Sequence, residues 1–158
     1  MKLILAVGVS NSGKTTWSID YCKHNHICRI STDELRAIIG KDESDQTVSH
    51  LVFRTAETMT EYFFQQGLSV LIDATNYSVK NRKNFIKLAR KYNAVICAYV
   101  FNKCSLDELK ARNQARARQV PDDVIERQFN NLVIPTKEEV NFICLETDQE
   151  FKWYRPHE

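Results

Sequence analysis

Short apolar runs rich in β-branched residues alternate along this chain with longer amphipathic stretches, the signature of an α/β architecture built on a parallel sheet. Lys2 to Val7 reads as the first strand, and its nearly unbroken apolar run marks a strand buried on both faces. Cys28 to Ser31, Leu68 to Ile72, Ala94 to Phe101 and Phe142 to Leu145 read as four more. Between them Lys14 to His24, Thr32 to Ile39, Thr47 to Gln66, Val79 to Tyr92, Leu106 to Ala117 and Pro121 to Leu132 read as helices, several opened by a capping residue or by Pro in the first turn. No repeat or low-complexity segment interrupts this order. The three prolines, Pro121, Pro135 and Pro156, all fall in the last third, so no Pro-rich linker divides the chain. The length of 158 residues then fits one domain covering residues 1–158.

Composition narrows the class without naming a partner. A hydrophobic share of 43% with 27% charged residues is that of a soluble globule, neither disordered nor membrane-spanning. The net charge of +2 gives no global case for a polyanionic partner, so any such case must come from local clusters. Five cysteines, Cys22, Cys28, Cys97, Cys104 and Cys144, are scattered with no close pair, and read as free thiols in a reducing compartment. The apolar run Leu3 to Val7 is too short for a signal-peptide core or a membrane span, so a cytoplasmic location with no membrane partner is expected. His24 and His26 point to different sides of a helix, and His50 and His157 stand alone, so no histidine metal cluster is expected.

The strongest chemical signal follows the first strand at once. Gly8-Val9-Ser10-Asn11-Ser12-Gly13-Lys14-Thr15 has the two Gly, the Lys and the Thr of a phosphate-binding loop. Gly8 and Gly13 allow backbone conformations that turn successive N–H groups inward toward phosphate oxygens. Lys14 is placed to reach the β- and γ-phosphates of ATP or another NTP, Thr15 to offer its hydroxyl to Mg²⁺, and the following helix to present its positive end. With ordinary residue usage, four such positions arise by chance in about one of a few hundred chains of this length. The strand before and helix after are the context the motif requires.

Three further clusters follow. Asp33 and Arg36, in Ser31-Thr32-Asp33-Glu34-Leu35-Arg36, lie three apart at the end of the second strand and share one helix face. Asp33 can accept the proton of an attacking hydroxyl while Arg36 holds an acceptor phosphate, or the pair can be a helix cap and a solvated side chain. Asp73, in Asp73-Ala74-Thr75-Asn76, ends an apolar strand where an acid organises the Mg²⁺ shell; it could instead anchor Arg36, or open a turn. Lys110, Arg112, Arg116 and Arg118 form a basic segment with no acid, read as a lid over about 110–121 or as a solvated face. On the expected helix, Arg112 and Arg116 share a face and Arg118 points elsewhere.

On these residues the chain resembles the kinase domain of phage and bacterial polynucleotide 5′-hydroxyl kinases. The likeness rests on the loop Gly8 to Thr15, Asp33 and Arg36, Asp73 to Asn76, the arginine lid through Val120-Pro121, and the acidic stretch Asp42-Glu43-Ser44-Asp45-Gln46, and it runs to about residue 133. The resemblance implies a P-loop kinase fold with a five-stranded parallel sheet, helices on its flanks and a helical arginine lid. It implies ATP as phosphate donor, Mg²⁺ at Thr15 and Asp73, and a 5′-OH RNA or DNA end as acceptor. Gly8, Ser10, Asn11, Ser12, Gly13, Lys14, Thr15, Thr16, Arg112 and Arg116 fall on the nucleotide side, and Asp33, Arg36, Asp73, Asn76 and Arg82 on the acceptor side. Lys14, Asp33 and Arg116 carry the catalysis. No 3′-phosphatase domain is expected, because the stretch from Phe142 to Glu158 is too short to supply one. No aromatic cluster in the sequence accompanies the acceptor motif, so base stacking has no support there. A small-molecule kinase acting on a nucleoside, sugar or metabolite, and an ATP-binding regulatory or toxin-like protein, fit the same motifs.

Overall fold

The strand Lys2–Gly8 (β1) is the axis of the molecule: Leu3 through Val7 are all fully buried, as its unbroken apolar run requires. The computed structural model describes residues 1–146 and 151–154; Pro156 and His157 lie outside the described residues. β1 is followed by helix Lys14–Asn25 (α1), strand Cys28–Ser31 (β2), helix Thr32–Ile39 (α2), a short 3-10 turn at Gln46–Val48 and helix Ser49–Gln65 (α3). Strand Val70–Asp73 (β3), helix Val79–Lys91 (α4), strand Val95–Phe101 (β4), helices Leu106–Gln114 (α5) and Asp122–Asn130 (α6), and strands Phe142–Glu146 (β5) and Phe151–Tyr154 (β6) complete the order.

The sheet order is β2-β3-β1-β4-β5-β6. The first five strands are mutually parallel, as expected from the alternating pattern, and give a P-loop kinase fold. β6 adds an antiparallel edge on β5, which the sequence pattern does not announce. Alternate side chains of β1 divide the core. Leu3, Leu5 and Val7 pack with α2, α3 and α4, whereas Ile4 and Ala6 face Cys22, Trp17 and Tyr21 of α1. A third cluster of Val9, Leu109 and Ile125 seats α5 and α6 on the turn after β1.

Register decides where the chemistry lies. Asp73 is level with Ala6 on one side and with Ser31 on the other, so the turn after β1, the start of α2 and the end of β3 open at the same carboxyl edge of the sheet. Most element ends fall within about two residues of the sequence expectation. α5 is the exception. It stops at Gln114 rather than Ala117, because the Asn113 side chain takes up the backbone of Val120: Nδ2 donates to the Val120 carbonyl at 2.7 Å and Oδ1 accepts from its N–H at 2.9 Å. Arg116 and Arg118 therefore sit in a closed turn, not on a helix face.

Candidate active site

The loop Gly8–Thr15 is shaped by backbone contacts before any ligand is considered. A Cβ on Gly8 would come within 2.8 Å of the Phe101 carbonyl and 2.9 Å of Ser12 Oγ, so only glycine fits between β4 and the loop. Gly13 takes φ 97° and Asn11 φ 70°, left-handed conformations that curl the chain into the start of α1. Ser12 N–H donates to the Val9 carbonyl at 3.2 Å, and Ser10 N–H to Gln128 Oε1 of α6 at 2.9 Å. Lys14 is only 6% exposed, and its Nζ folds back to the Val9 carbonyl at 2.7 Å and Ser12 Oγ at 3.2 Å. Burial pushes its ammonium down to about 8, against the opposing pull of Asp73 and Asp33. A buried cation among neutral oxygens is short of counter-charge, which polyphosphate supplies. Thr15 and Thr16 are exposed on the first turn of α1.

Asp73 is buried and divides its two oxygens between different tasks. Oδ2 accepts from Ser18 Oγ at 2.9 Å and from Arg29 Nη2 and Nε at 2.6 and 3.1 Å. Among the described residues Oδ1 has only Thr15 Oγ1, at 3.4 Å. One carboxylate oxygen beside one threonine hydroxyl matches the donor set that Mg²⁺ takes from protein, since this ion is held by one or two protein groups together with phosphates and water. Thr15 and Asp73 thus fit the ion they are expected to hold. The suggested pairing of Asp73 with Arg36 is not what forms; Arg29 takes that place and continues to Glu34 at 2.7 Å. Burial works against the charge of Arg29, but the hydrogen bonds it donates to Glu34 and Asp73 outweigh it and raise its pKa further. The signal for Arg29 was a lone cation inside the short strand Cys28–Ser31.

α2 is capped by Ser31, whose Oγ accepts from Glu34 N–H at 3.3 Å, so neither Thr32 nor Asp33 is spent on the cap. That leaves the Asp33 side chain 63% exposed, while Arg36 one turn later is buried. Arg36 Nη1 donates to Asp33 Oδ1 at 2.8 Å, and Arg36 Nε is buried without a partner among the described residues. The pair shares one helix face, as its spacing requires.

The lid reaches the loop through Asn11. Arg116 Nη1 donates to Asn11 Oδ1 at 2.7 Å, Arg112 Nη1 lies 3.5 Å from its carbonyl, and Asn113 Oδ1 accepts from Asn11 Nδ2 at 3.2 Å. Arg112 and Arg116 thus converge although the helix ends between them. Arg118 pairs instead with Glu43 in the acidic stretch after α2, bridging the lid to the segment that follows Asp33 and Arg36. Lys110 is bound to Glu126 of α6 and is not part of this group. Asn113 and Gln128 carry no mark in the sequence, because a neutral amide in a basic or amphipathic helix has no distinctive spacing.

Two residues expected on the acceptor side have other engagements. Asn76, with φ 46°, is buried, and its Nδ2 donates to the carbonyls of Ala6 and Ile72 at 2.9 and 3.2 Å, tying β1 to β3. Arg82 is 0% exposed: Nε and Nη2 grip Glu139 at 3.0 and 2.9 Å, and Nη1 donates to the carbonyls of Asn76 and Val133. Both hold the edge of the cleft together from inside rather than lining it.

Among the described residues no helix is long and apolar enough to cross a membrane. The fold recurs in solved structures. A chain of the Pnkp1/Rnl/Hen1 RNA repair complex superposes with a TM-score of 0.72 at 23% identity over 83% of this chain. This chain spans 43% of that relative, less than half its length. A putative kinase from Chloroflexus aurantiacus J-10-fl gives 0.65 at 23% identity, covering 85% of this chain and 78% of its own. A sugar kinase from Janibacter sp. HTCC2649 gives 0.66 at 14% identity, covering 92% and 85%. At these identities the likeness is one of fold. The sequence itself matches the family model described as an AAA domain over residues 3–133, from the first strand through the lid and α6, and the chain belongs to that family.

Proposed function

We propose that this chain transfers the γ-phosphate of ATP to the 5′-hydroxyl end of an RNA or DNA strand. The observation that carries the reading is the Asp33–Arg36 pair: an exposed carboxylate on a buried guanidinium with, among the described residues, only Nη1 engaged, and close enough to the loop for Asp33 to act on the Lys14 ammonium. A carboxylate so placed can take the proton of an incoming hydroxyl. The remaining donors of Arg36 suit a phosphate that the acceptor already carries. A nucleotide within a strand has both groups, and a plain nucleoside or free sugar has only the hydroxyl.

On the donor side, the N–H groups of the Gly8–Thr15 loop that its internal bonds leave open and the Lys14 ammonium hold the triphosphate, with Ser10, Asn11 and Thr16 at the loop's rim and Ser12 buried beneath it. Arg112 and Arg116 come from the lid to meet the charge of the transferred group. Thr15 and Asp73 would hold Mg²⁺, which neutralises charge on the β- and γ-phosphates. Arg29 keeps Asp73 turned so that Oδ1 stays toward Thr15. A structural relative within an RNA repair complex supports the nucleic-acid acceptor.

The test is transfer of labelled γ-phosphate to a panel of 5′-OH RNA and DNA oligonucleotides, 3′-nucleotides, nucleosides and sugars. Label is expected on the oligonucleotides and 3′-nucleotides and not on nucleosides. Label on a nucleoside or sugar alone would replace the reading with a small-molecule kinase, and ATP hydrolysis indifferent to every acceptor would replace it with a regulator.

A further inference from the structure

A strand bound by its first nucleotide at Asp33 and Arg36 leaves further nucleotides to be placed, and one surface beside the cleft has the chemistry to place them. It is built where two segments distant in sequence meet. Val133 N–H donates to the Tyr77 carbonyl at 2.8 Å, and Arg82 bridges the carbonyls of Asn76 and Val133. The stretch after α6 is thereby fixed against the loop that leaves Asp73. The same α6 reaches the phosphate loop through Gln128 and Ser10, which keeps this surface at the carboxyl edge of the sheet.

Three apolar side chains on these joined segments are exposed: Val79, two residues after Tyr77, at 50%, Val133 at 43%, and Phe129, four residues before Val133, at 38%. Beside them on α4, Lys80 and Lys83 lie exposed one turn apart, with Lys87 a turn beyond. These three lysines make no hydrogen bond or ion pair among the described residues. The other cations of α4 are engaged: Arg82 with Glu139, Arg90 with the Glu138 carbonyl and Lys91 with Glu61. A run of open cations flanking an exposed aromatic and apolar surface is complementary to single-stranded nucleic acid, whose bases stack on apolar faces while its phosphates meet lysine. The chain is close to neutral overall, so this local excess of positive charge is what a polyanion would meet.

We infer that the surface formed by Val79, Phe129, Val133, Lys80 and Lys83 binds the single-stranded nucleotides that follow the phosphorylated 5′ end. The inference rests on the polynucleotide reading above and adds to it a dependence on acceptor length. Phosphorylation kinetics of 5′-OH oligonucleotides from about two to about twelve nucleotides test it, at two salt concentrations. For the unaltered protein, KM should fall at least about tenfold from the shortest to the longest acceptor, and the gain should shrink at high salt. Lys80→Glu/Lys83→Glu and, separately, Phe129→Ala should each raise KM for the long acceptor about tenfold, leaving kcat and the shortest acceptor's KM unchanged. Circular dichroism confirms that the variants fold. If KM is independent of length, or the variants shift short and long acceptors alike, the inference is wrong while the polynucleotide reading stands; the surface then serves another occupant, such as a protein. If no oligonucleotide of any length is phosphorylated, the polynucleotide reading itself fails and the inference falls with it.

Discussion

The two ends of the cleft are built on different principles. At the phosphate loop the functional groups are sealed in: Gly8 is wedged against β4, Lys14 is folded under its own loop, and Asp73 is held by Ser18 and Arg29. At the start of α2 the carboxylate of Asp33 stands in solvent, and a single hydrogen bond joins it to Arg36. Main-chain geometry determines the first end, and so it is shared across a fold. A few side chains on one helical turn determine the second. A chain of an RNA repair complex and a sugar kinase both superpose on this molecule, at 23% and 14% identity. At these identities the likeness is one of fold, and the two relatives share it whatever acceptor each one takes.

Breaking the sealed end should have the largest effect. Lys14→Ala is expected to reduce transfer by at least about 10³-fold and to weaken ATP binding as well, read by phosphate transfer and calorimetry. Retained ATP affinity would place the triphosphate elsewhere. Breaking the open end should leave ATP binding alone: Asp33→Ala is expected to lower kcat about 10²- to 10⁴-fold with ATP affinity within about twofold of the original. Near-normal turnover would remove Asp33 from the role of base. Arg82→Ala tests the frame between the ends. It removes a fully buried guanidinium and strands the partly buried Glu139 and two carbonyls, so a loss of about 3–5 kcal/mol in urea unfolding is expected. A change below about 0.5 kcal/mol would mean the guanidinium is not the tie it resembles.

The smallest effect is a pH dependence confined to the sealed end. Burial holds the Lys14 ammonium at about 8 despite Asp73 and Asp33, whereas bound phosphates favour the ammonium and raise its pKa. Below about pH 8 both forms are protonated and affinity is flat. As pH rises beyond that value, nucleotide binding must take up a proton, so ATP affinity should fall by up to about tenfold per pH unit. Affinity that is constant to pH 9.5 or so would mean that burial does not depress this lysine.

Sequence reveals the sealed end readily because its parts are contiguous. The loop, the strand before it and the helix after it occupy one short stretch, and each Gly and Lys has a mechanical reason to be there. Strands β1, β3 and β4 are legible for a similar reason, since burial on both faces leaves nearly continuous apolar runs. What stays hidden depends on contacts between distant segments. Arg29 meets Asp73 across 44 positions, Arg82 meets Glu139 across 57, and Arg118 meets Glu43 across 75. Asn113 ends α5 early by capturing Val120, and no helical periodicity reveals a side chain that bonds to backbone beyond the helix. The antiparallel β6 was likewise unannounced, since an edge strand needs only one apolar face.

The central claim is that Asp33 and Arg36 together receive a nucleotide that carries its own phosphate. A crystal structure with ADP and a 5′-OH dinucleotide tests this most directly. The claim predicts an Asp33 carboxylate oxygen within about 3.2 Å of the 5′-hydroxyl, and Arg36 nitrogens on the phosphate between the two nucleosides. A dinucleotide bound with its 5′-hydroxyl away from Asp33, or with its phosphate held by other residues while Arg36 stays paired only to Asp33, would contradict it.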